Sequence, residues 1–322
     1  MASPPAPLTS EQKAFFLAHG YLKLTNCFTR EQAADVISGV WTRLDMSPTD
    51  QRTWTRPKVN MPSHRTFDCA SLAPRAWAAI CELCGGEARV TGGSRQWRDS
   101  LIVNLGTAAG SGKPVPPKRL DNWHVDGDFF VHYLDSPEQA LLVIPLFTDV
   151  VPQGGGTMLC PEAVPRLARH LYEHPEGVSP RMVPRDAERG DFATDEGRGW
   201  YNQLAKSCSD DGFVEACGSV GDVYLLHPLM LHSATSNALR RVRIITNPPV
   251  SIREPHCFDR ADGDYSLVEL KTMQSIGADK LKGWKITAPR EKIVPERVRI
   301  QEAMKRDELR RLEEQGKVTA AA

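Results

Sequence analysis

Apolar and polar positions along the chain follow two periods, helical near the ends and strand-like in the middle. Thr9-Ser-Glu-Gln12 fits a capping box, in which a Thr hydroxyl and a Gln three positions later satisfy amides of a first helical turn. It predicts a short amphipathic helix ending at Gly20, and the alternation of Tyr21-Leu-Lys-Leu24 predicts a strand after it. Thr29-Arg-Glu-Gln32 is a second capping box. It opens a helix running to Leu44, with Ala33, Val36, Ile37, Val40 and Leu44 at helical spacing. Residues 46–68 are polar and interrupted by Pro48, Pro57 and Pro62, which reads as loop. Pro74 to Cys84 reads as a helix stopped by Gly85-Gly86.

From residue 100 the period changes. Ser100 to Asn104, Leu141 to Phe147, Thr157 to Cys160, Gly221 to Leu226 and Arg240 to Thr246 are strand candidates. Between them lie a Gly/Pro/Ala/Lys-rich loop at 106–118, a tight turn at Val151-Pro-Gln-Gly-Gly-Gly156 and a helix at 162–173. Residues 174–212, with Trp200 and Tyr201, form a polar excursion of the length expected of a functional loop or insertion. After Pro289 the segment Glu296 to Gln315 carries few apolar points and reads as a solvated helix or a partner-binding one. Neither repeats nor a dividing linker interrupt the chain. The expectation is one domain over 1–322: a helical flank at about 10–90, a β core at about 100–250 and a charged helical extension at about 290–316.

Composition narrows the classes of function. Lys and Arg number 40 and Asp and Glu number 40, so the formal net charge is zero. Apolar residues make up 41% and charged residues 25% of the chain, an ordinary globular balance. Neutrality and the lack of a basic stripe argue against a nucleic-acid partner. No apolar run approaches the ~20 residues of a membrane span, and Met1 to Pro7 resembles no signal peptide. A cytoplasmic protein is expected. The eight cysteines are scattered. Cys81-Glu-Leu-Cys84 alone has metal-like spacing and has no second pair, so both are expected to be buried thiols.

The candidate chemistry lies in Asn122-Trp-His124-Val-Asp126-Gly-Asp128. Positions i and i+2 of a strand share a face, so His124 and Asp126 can present a nitrogen and a carboxylate oxygen to one ion. Asp128 is the alternative carboxylate. A second histidine can come from His227 or His232 in Leu225-Leu-His227-Pro-Leu-Met-Leu-His232. Two histidines and one carboxylate form a facial triad that leaves coordination positions open, which suits Fe(II) oxygenases. Arg243 follows His232 by 11 residues across a polar turn. It is either a surface arginine of a hairpin or a guanidinium turned into the same pocket, able to grip a carboxylate through two parallel hydrogen bonds.

Together these residues resemble the phytanoyl-CoA dioxygenase family of Fe(II)/2-oxoglutarate-dependent oxygenases. The similarity covers about residues 10–250. It rests on the capped helix with Gly20-Tyr-Leu-Lys-Leu24, the run Cys27-Phe-Thr-Arg-Glu-Gln32, Trp123-His124-Val-Asp126, Pro152-Gln-Gly-Gly-Gly-Thr157 with Cys160-Pro161, and Gly221-Asp222 through His227, His232 and Arg243. The resemblance implies a mainly β fold with flanking helices around a double-stranded β-helix (jelly-roll, cupin-like) core. It implies His124, Asp126 and His232 as metal ligands, with His227 behind them. Arg243, and Asn104 on the preceding strand, would bind 2-oxoglutarate. Fe(II), 2-oxoglutarate as cosubstrate and O₂ follow, with ascorbate as a candidate reductant. The implied reaction is oxidation of an unactivated C–H bond of a small molecule, by hydroxylation, desaturation or cyclisation, with release of succinate and CO₂. Asp126 argues against halogenation, because in halogenating relatives a small residue replaces the carboxylate.

Two further classes compete: a jelly-roll metalloenzyme without 2-oxoglutarate, such as a cupin-like isomerase or a hydrolase, and a non-catalytic interaction protein on the same fold. Phe129, Phe130 and Tyr133 are candidates for the pocket wall or for the core, and Asn60, His64 and Arg65 are candidates for substrate contact. Gly110-Ser-Gly-Lys113-Pro114 fails as a phosphate loop, because Thr107 and Pro114 stand where Gly and Ser/Thr are required. His170 and His174 have helical spacing but no third ligand in sequence.

Overall fold

Each capping box closes as its residue types require. In the computed structural model, which describes residues 8–187 and 198–321, the Thr9 hydroxyl accepts from the Gln12 amide while the Gln12 side chain accepts from the Thr9 amide. Met1 to Pro7 and the centre of the 174–212 excursion lie outside the described residues. The helices are α1 (Ser10–His19), α2 (Arg30–Ile37), α3 (Val40–Leu44), α4 (Cys69–Leu72), α5 (Pro74–Leu83), α6 (Val164–Glu173), α7 (Gly199–Lys206), α8 (Leu267–Ile276), α9 (Ala278–Leu281) and α10 (Arg297–Ala321). The strands are β1 (Tyr21–Leu24), β2 (Lys58–Asn60), β3 (Thr66–Asp68), β4 (Gln96–Arg98), β5 (Ile102–Asn104), β6 (Leu141–Pro145), β7 (Thr157–Cys160), β8 (Val214–Ala216), β9 (Val223–Leu226), β10 (Leu231–Ala234), β11 (Arg243–Ile245) and β12 (Pro249–Val250).

All strand pairs are antiparallel. β1-β9-β6-β12 form a four-stranded sheet, β10-β7-β8 and β11-β5-β2 form three-stranded sheets, and β3-β4 pair alone. A bridge between Leu146 and Ile245, with the Phe147 amide donating to the Ile244 carbonyl at 3.0 Å, ties the four-stranded sheet to β11. One apolar cluster joins the outer face of this β structure to α1, α2, α5 and β1, with Phe16, Ile80, Leu83, Val103 and Val143 buried. A second lies between the sheets and under α6 and α7, around Trp123, Leu159, Leu167, Tyr201 and Leu226. Burial of such side chains contributes roughly 1.5–3 kcal/mol each.

Five expectations change, the last of them in the C-terminal segment. The helix read from Thr29 to Leu44 breaks into α2 and α3. The Ser38 hydroxyl donates to the Asp35 carbonyl at 2.9 Å, taking a helical acceptor, and Gly39 follows it. The loop at 46–68 contains β2 and β3, because β5 and β4 supply the pairing that their own sequence does not advertise. The 174–212 excursion contains α7, whose Tyr201 is buried and donates to the Pro180 carbonyl at 2.9 Å. His124 and Asp126 lie on no strand; a single antiparallel bridge, His124 to His232, holds that segment.

The C-terminal segment differs most from the solvated reading. α10 packs on α3, and its Glu308 is 1% exposed. Glu308 accepts from Arg43 Nε at 2.9 Å and lies 2.8 Å from His64 Nε2, while Arg43 also pairs with Asp99 at 2.9 Å. Arg311 donates to the Arg43 carbonyl at 2.7 Å. Among the described residues no helix is long and apolar enough to cross a membrane. Removing one partner of a buried charge network leaves the other charges uncompensated, so Glu308→Ala should lower unfolding stability by about 3 kcal/mol. The urea midpoint reads this, and a shift of less than about 0.5 kcal/mol would mean α10 is a surface helix after all.

Candidate metal centre

His124 and His232 sit directly opposite each other, each amide donating to the other's carbonyl at 3.0 and 2.9 Å. Side chains of such a pair leave the backbone on one face, and the two imidazole centroids are 4.4 Å apart. Each ring is oriented by the carbonyl two residues before it. His124 Nδ1 lies 2.8 Å from the Asn122 carbonyl and His232 Nδ1 lies 3.0 Å from the Met230 carbonyl. A carbonyl only accepts, so Nδ1 carries the proton and Nε2 offers its lone pair. Both Nε2 atoms face Asp126 Oδ1, at 3.5 and 3.6 Å.

Asp126 is held from the other side by Asn247, whose Nδ2 donates to Asp126 Oδ2 at 3.0 Å. Gly127 makes the turn behind Asp126 with φ of +120°, where an added Cβ would lie 2.6 Å from the Phe130 ring and 2.8 Å from His132. The result is one group in which the candidate ligand atoms of His124, Asp126 and His232 all lie within 4.8 Å of one another. No other such group occurs among the described residues. The donor set fits a divalent transition metal: two imidazoles with fixed tautomers and one braced carboxylate.

The electrostatics agree. Burial pushes the Asp126 carboxyl up, but the two imidazoles outweigh burial and hold it well below the carboxylate range. Burial lowers the His232 imidazole, but its bond to Asp126 and the carboxylate charge raise it overall. His124 is lowered, chiefly by burial and then by His232. The group therefore offers an anionic carboxylate at any ordinary pH.

The alternatives in sequence have other partners. His227 is fully buried and bonded to the Thr272 hydroxyl at 3.0 Å and the Leu229 amide at 3.2 Å, outside the group. Asp128 is gripped through both oxygens by Arg297. His64 meets Glu308, and Arg65 pairs with Asp35 at 2.7 Å. Phe130 and Tyr133 are buried, Phe130 stacked on His132 and Tyr133 donating to the Pro289 carbonyl at 2.9 Å. Cys81 and Cys84 are buried free thiols, and burial pushes Cys81 up to about 12.

Arg243 and Asn104 are cross-strand partners, both 1% exposed. Gly155, at φ +82°, supplies the carbonyl that both use: Arg243 Nε donates to it at 2.6 Å and Asn104 Nδ2 at 3.2 Å. Asn104 Nδ2 also donates to the Thr235 carbonyl at 3.0 Å, and its Oδ1 accepts from the Gly106 amide at 3.2 Å. Both amide protons of Asn104 thus serve the protein's own loops. Arg243 Nη1 reaches the Ile102 carbonyl at 3.3 Å, and Arg243 has no acid partner among the described residues. Burial lowers its pKa to about 10, so it stays charged at neutral pH. Lys58 lies across β5 from it on the same sheet face. Lys58 is itself exposed, and desolvation of its ammonium beside the sheet, then the charge of Arg243, lowers its pKa.

Asn247 and Lys58 were not singled out in the sequence. The one available signal for Asn247 was alternation: Arg243, Ile245 and Asn247 step by two along an extended segment and share a face. For Lys58 the signal lay hidden in the proline-broken stretch.

No protein-family profile matches the chain, and no curated protein matches it in sequence. Solved structures do resemble it. EctD from S. alaskensis with bound Fe is 17% identical over 78% of this chain and 79% of its own, with a TM-score of 0.43. The non-heme alpha-ketoglutarate-dependent epimerase SnoN from nogalamycin biosynthesis is 15% identical over 75% of this chain and 79% of its own, with a TM-score of 0.39. HygX from Streptomyces hygroscopicus, solved with nickel, 2-oxoglutarate and hygromycin B, is 13% identical over 76% of this chain and 87% of its own, with a TM-score of 0.39. All three similarities are remote, so the chemistry has to be read from this chain's own side chains.

Asn247→Ala frees one carboxylate oxygen of Asp126 and should weaken divalent-metal binding roughly 10–100-fold, measured by metal titration. His227 gives a prediction about stability. Burial, then the charges of His256 and Lys271, lowers its pKa to about 3, so the native state stays neutral while the unfolded chain protonates near 6.5. Its contribution is complete above pH ~6.5 and is lost as pH falls from there toward ~3. His132 and His256, each lowered to about 4 with burial as the largest cause, act in the same direction. His227→Gln should therefore make stability less steep with pH between 6 and 4, by up to about 1.4 kcal/mol per pH unit. Urea midpoints across that range test it, and an unchanged slope would refute a neutral buried His227.

Proposed function

We propose that the protein is an Fe(II)/2-oxoglutarate-dependent oxygenase acting on a small molecule. The observation that carries the reading is the His124–Asp126–His232 group, with both Nε2 atoms turned toward one carboxylate oxygen. Three protein ligands on one side leave positions for a bidentate 2-oxoacid and O₂. Arg243 supports 2-oxoglutarate as that acid. It is a buried guanidinium whose neighbours are carbonyls, on the strand that leads to Asn247 and hence to Asp126. A zinc hydrolase or cupin-like isomerase built on the same triad has no use for such a cation.

When bound, Fe(II) supplies the coupling of 2-oxoglutarate and O₂ consumption, with release of succinate and CO₂, to oxidation of a C–H bond. The chain's own groups do the rest. With Nδ1–H bound to a carbonyl, His124 and His232 present Nε2 as the ligand atom. Asn247 keeps Asp126 from rotating. Arg243 would hold the distal carboxylate of 2-oxoglutarate, with Nε fixed by Gly155 so that the fork is oriented before the ligand arrives. Leu159, opposite His232, and Ile245, opposite Ile102, are buried apolar residues on the strands that carry these groups.

On this reading the antiparallel sheets belong to a double-stranded β-helix of the phytanoyl-CoA dioxygenase type. The antiparallel pairing, the bridges between sheets and the order of motifs along the chain support it. Substrates of that type are small molecules, with neither nucleic acid nor membrane as partner.

Anaerobic visible spectroscopy tests the proposal. Wild-type protein titrated with Fe(II) and then 2-oxoglutarate should develop a weak metal-to-ligand charge-transfer band. His232→Ala should abolish the band. Arg243→Ala should raise the 2-oxoglutarate concentration needed by 10-fold or more, in line with the 1.5–3 kcal/mol of a charge-assisted hydrogen bond. Iron uptake with no band would leave a metalloenzyme that uses another cosubstrate.

A further inference from the structure

We infer that the C-terminal segment is a positioning strap for the metal-binding turn, with Arg297 acting on Asp126 through Asp128. The inference rests on the metal reading above. Asp128 lies two residues beyond the candidate ligand, across the Gly127 turn; its side chain is 14% exposed and that of Arg297 47%. Arg297 holds both oxygens in a two-pronged contact, with Nη2 at 2.6 Å from Oδ1 and Nε on Oδ2. Such a fork fixes the plane of the carboxylate as well as its place.

The contact ends a longer seam. The Val131 amide donates to the Glu291 carbonyl at 2.9 Å, the Ile293 amide to the Phe129 carbonyl at 2.8 Å, and Phe130 bridges Lys292. Tyr133 donates to the Pro289 carbonyl, and Asp135 pairs with Arg290 at 2.8 Å. From 128 to 135, the chain leaving the metal-binding turn is therefore bound side by side to residues 289–297. Eleven residues beyond Arg297, about three helical turns or ~16 Å along α10, Glu308 is buried against Arg43 and His64. The strap is anchored at both ends, one on the helical flank and one on the turn. Gly127 has no side chain to restrict it, so the position of Asp126 depends on what holds either side of the turn: Asn247 on the ligand itself and Arg297 on Asp128.

Cobalt(II) is the probe, because its visible absorption reports the ligand set directly. Arg297→Gln and Asp128→Asn should each weaken Co(II) binding about 10-fold and change the absorption envelope. The double variant should lose no more than either single one, since both remove the same contact. Arg299→Gln, an exposed arginine on the same helix, should bind as wild type. In metal-free protein, amide hydrogen exchange across 127–133 should be faster in Arg297→Gln. Should that variant fail to fold, Arg297→Lys keeps the charge and loses the fork, and carries the test with the same readouts. Wild-type affinity and spectrum in the variants, or additive losses in the double one, would overturn the inference while leaving the metal reading intact. Failure of the wild type to take up Co(II) would overturn the metal reading and the strap with it.

Discussion

Two backbone hydrogen bonds exchanged by His124 and His232 set the geometry on which the candidate centre depends. An antiparallel pair of this kind places both side chains on one face with little freedom. β10 is itself paired along its length to β7, so His232 stands on a sheet. His124 does not; its segment has this one bridge and borrowed supports. Trp123 beside it is fully buried and donates to the Pro117 carbonyl, and Asn202 on α7 holds the Trp123 amide and the Asp121 carbonyl. The long polar excursion after residue 174 thus contributes a helix that braces the candidate metal-binding segment.

Two buried arginines show how charge is distributed. Arg43 and Arg243 are 3% and 1% exposed. Arg43 meets two carboxylates, Asp99 and Glu308, and so is neutralised within the fold. Among the described residues Arg243 meets only the carbonyls of Gly155 and Ile102. A buried cation without a counter-charge costs several kcal/mol of desolvation, and carbonyl dipoles offset only part of it. A ligand carboxylate would supply the missing charge, which ties the fold's electrostatics to the proposed cosubstrate.

The same logic explains the C-terminal helix. Its exposed face is as polar as its composition suggests, yet the one carboxylate that faces inward, Glu308, completes the network around Arg43 and His64. Met304 adds an apolar contact to the first core cluster, but a hydrophobic pattern cannot reveal the ionic part of this docking. The helix then delivers Arg297 to the turn that carries Asp126.

Local chemistry in the sequence determined the capped starts of α1 and α2, the glycine stops after α1 and α5, the alternating strands, and the HxD pair with a histidine and an arginine downstream. Each depends on neighbours within a few residues, which a sequence displays. Tertiary structure decided what those neighbours cannot. It drew His232 rather than His227 to Asp126, because β10 lies against the His124 segment while His227 ends β9 against α8. It gave Asp128 to Arg297, turned the Asn104 amide to the Gly155 and Thr235 carbonyls, and brought Asn247 onto Asp126. It also paired β2 with β5 across a stretch that reads as loop. In every case the partner lies at least 40 residues away in the chain, and a buried polar group takes whichever partner the packed sheets bring within hydrogen-bond reach.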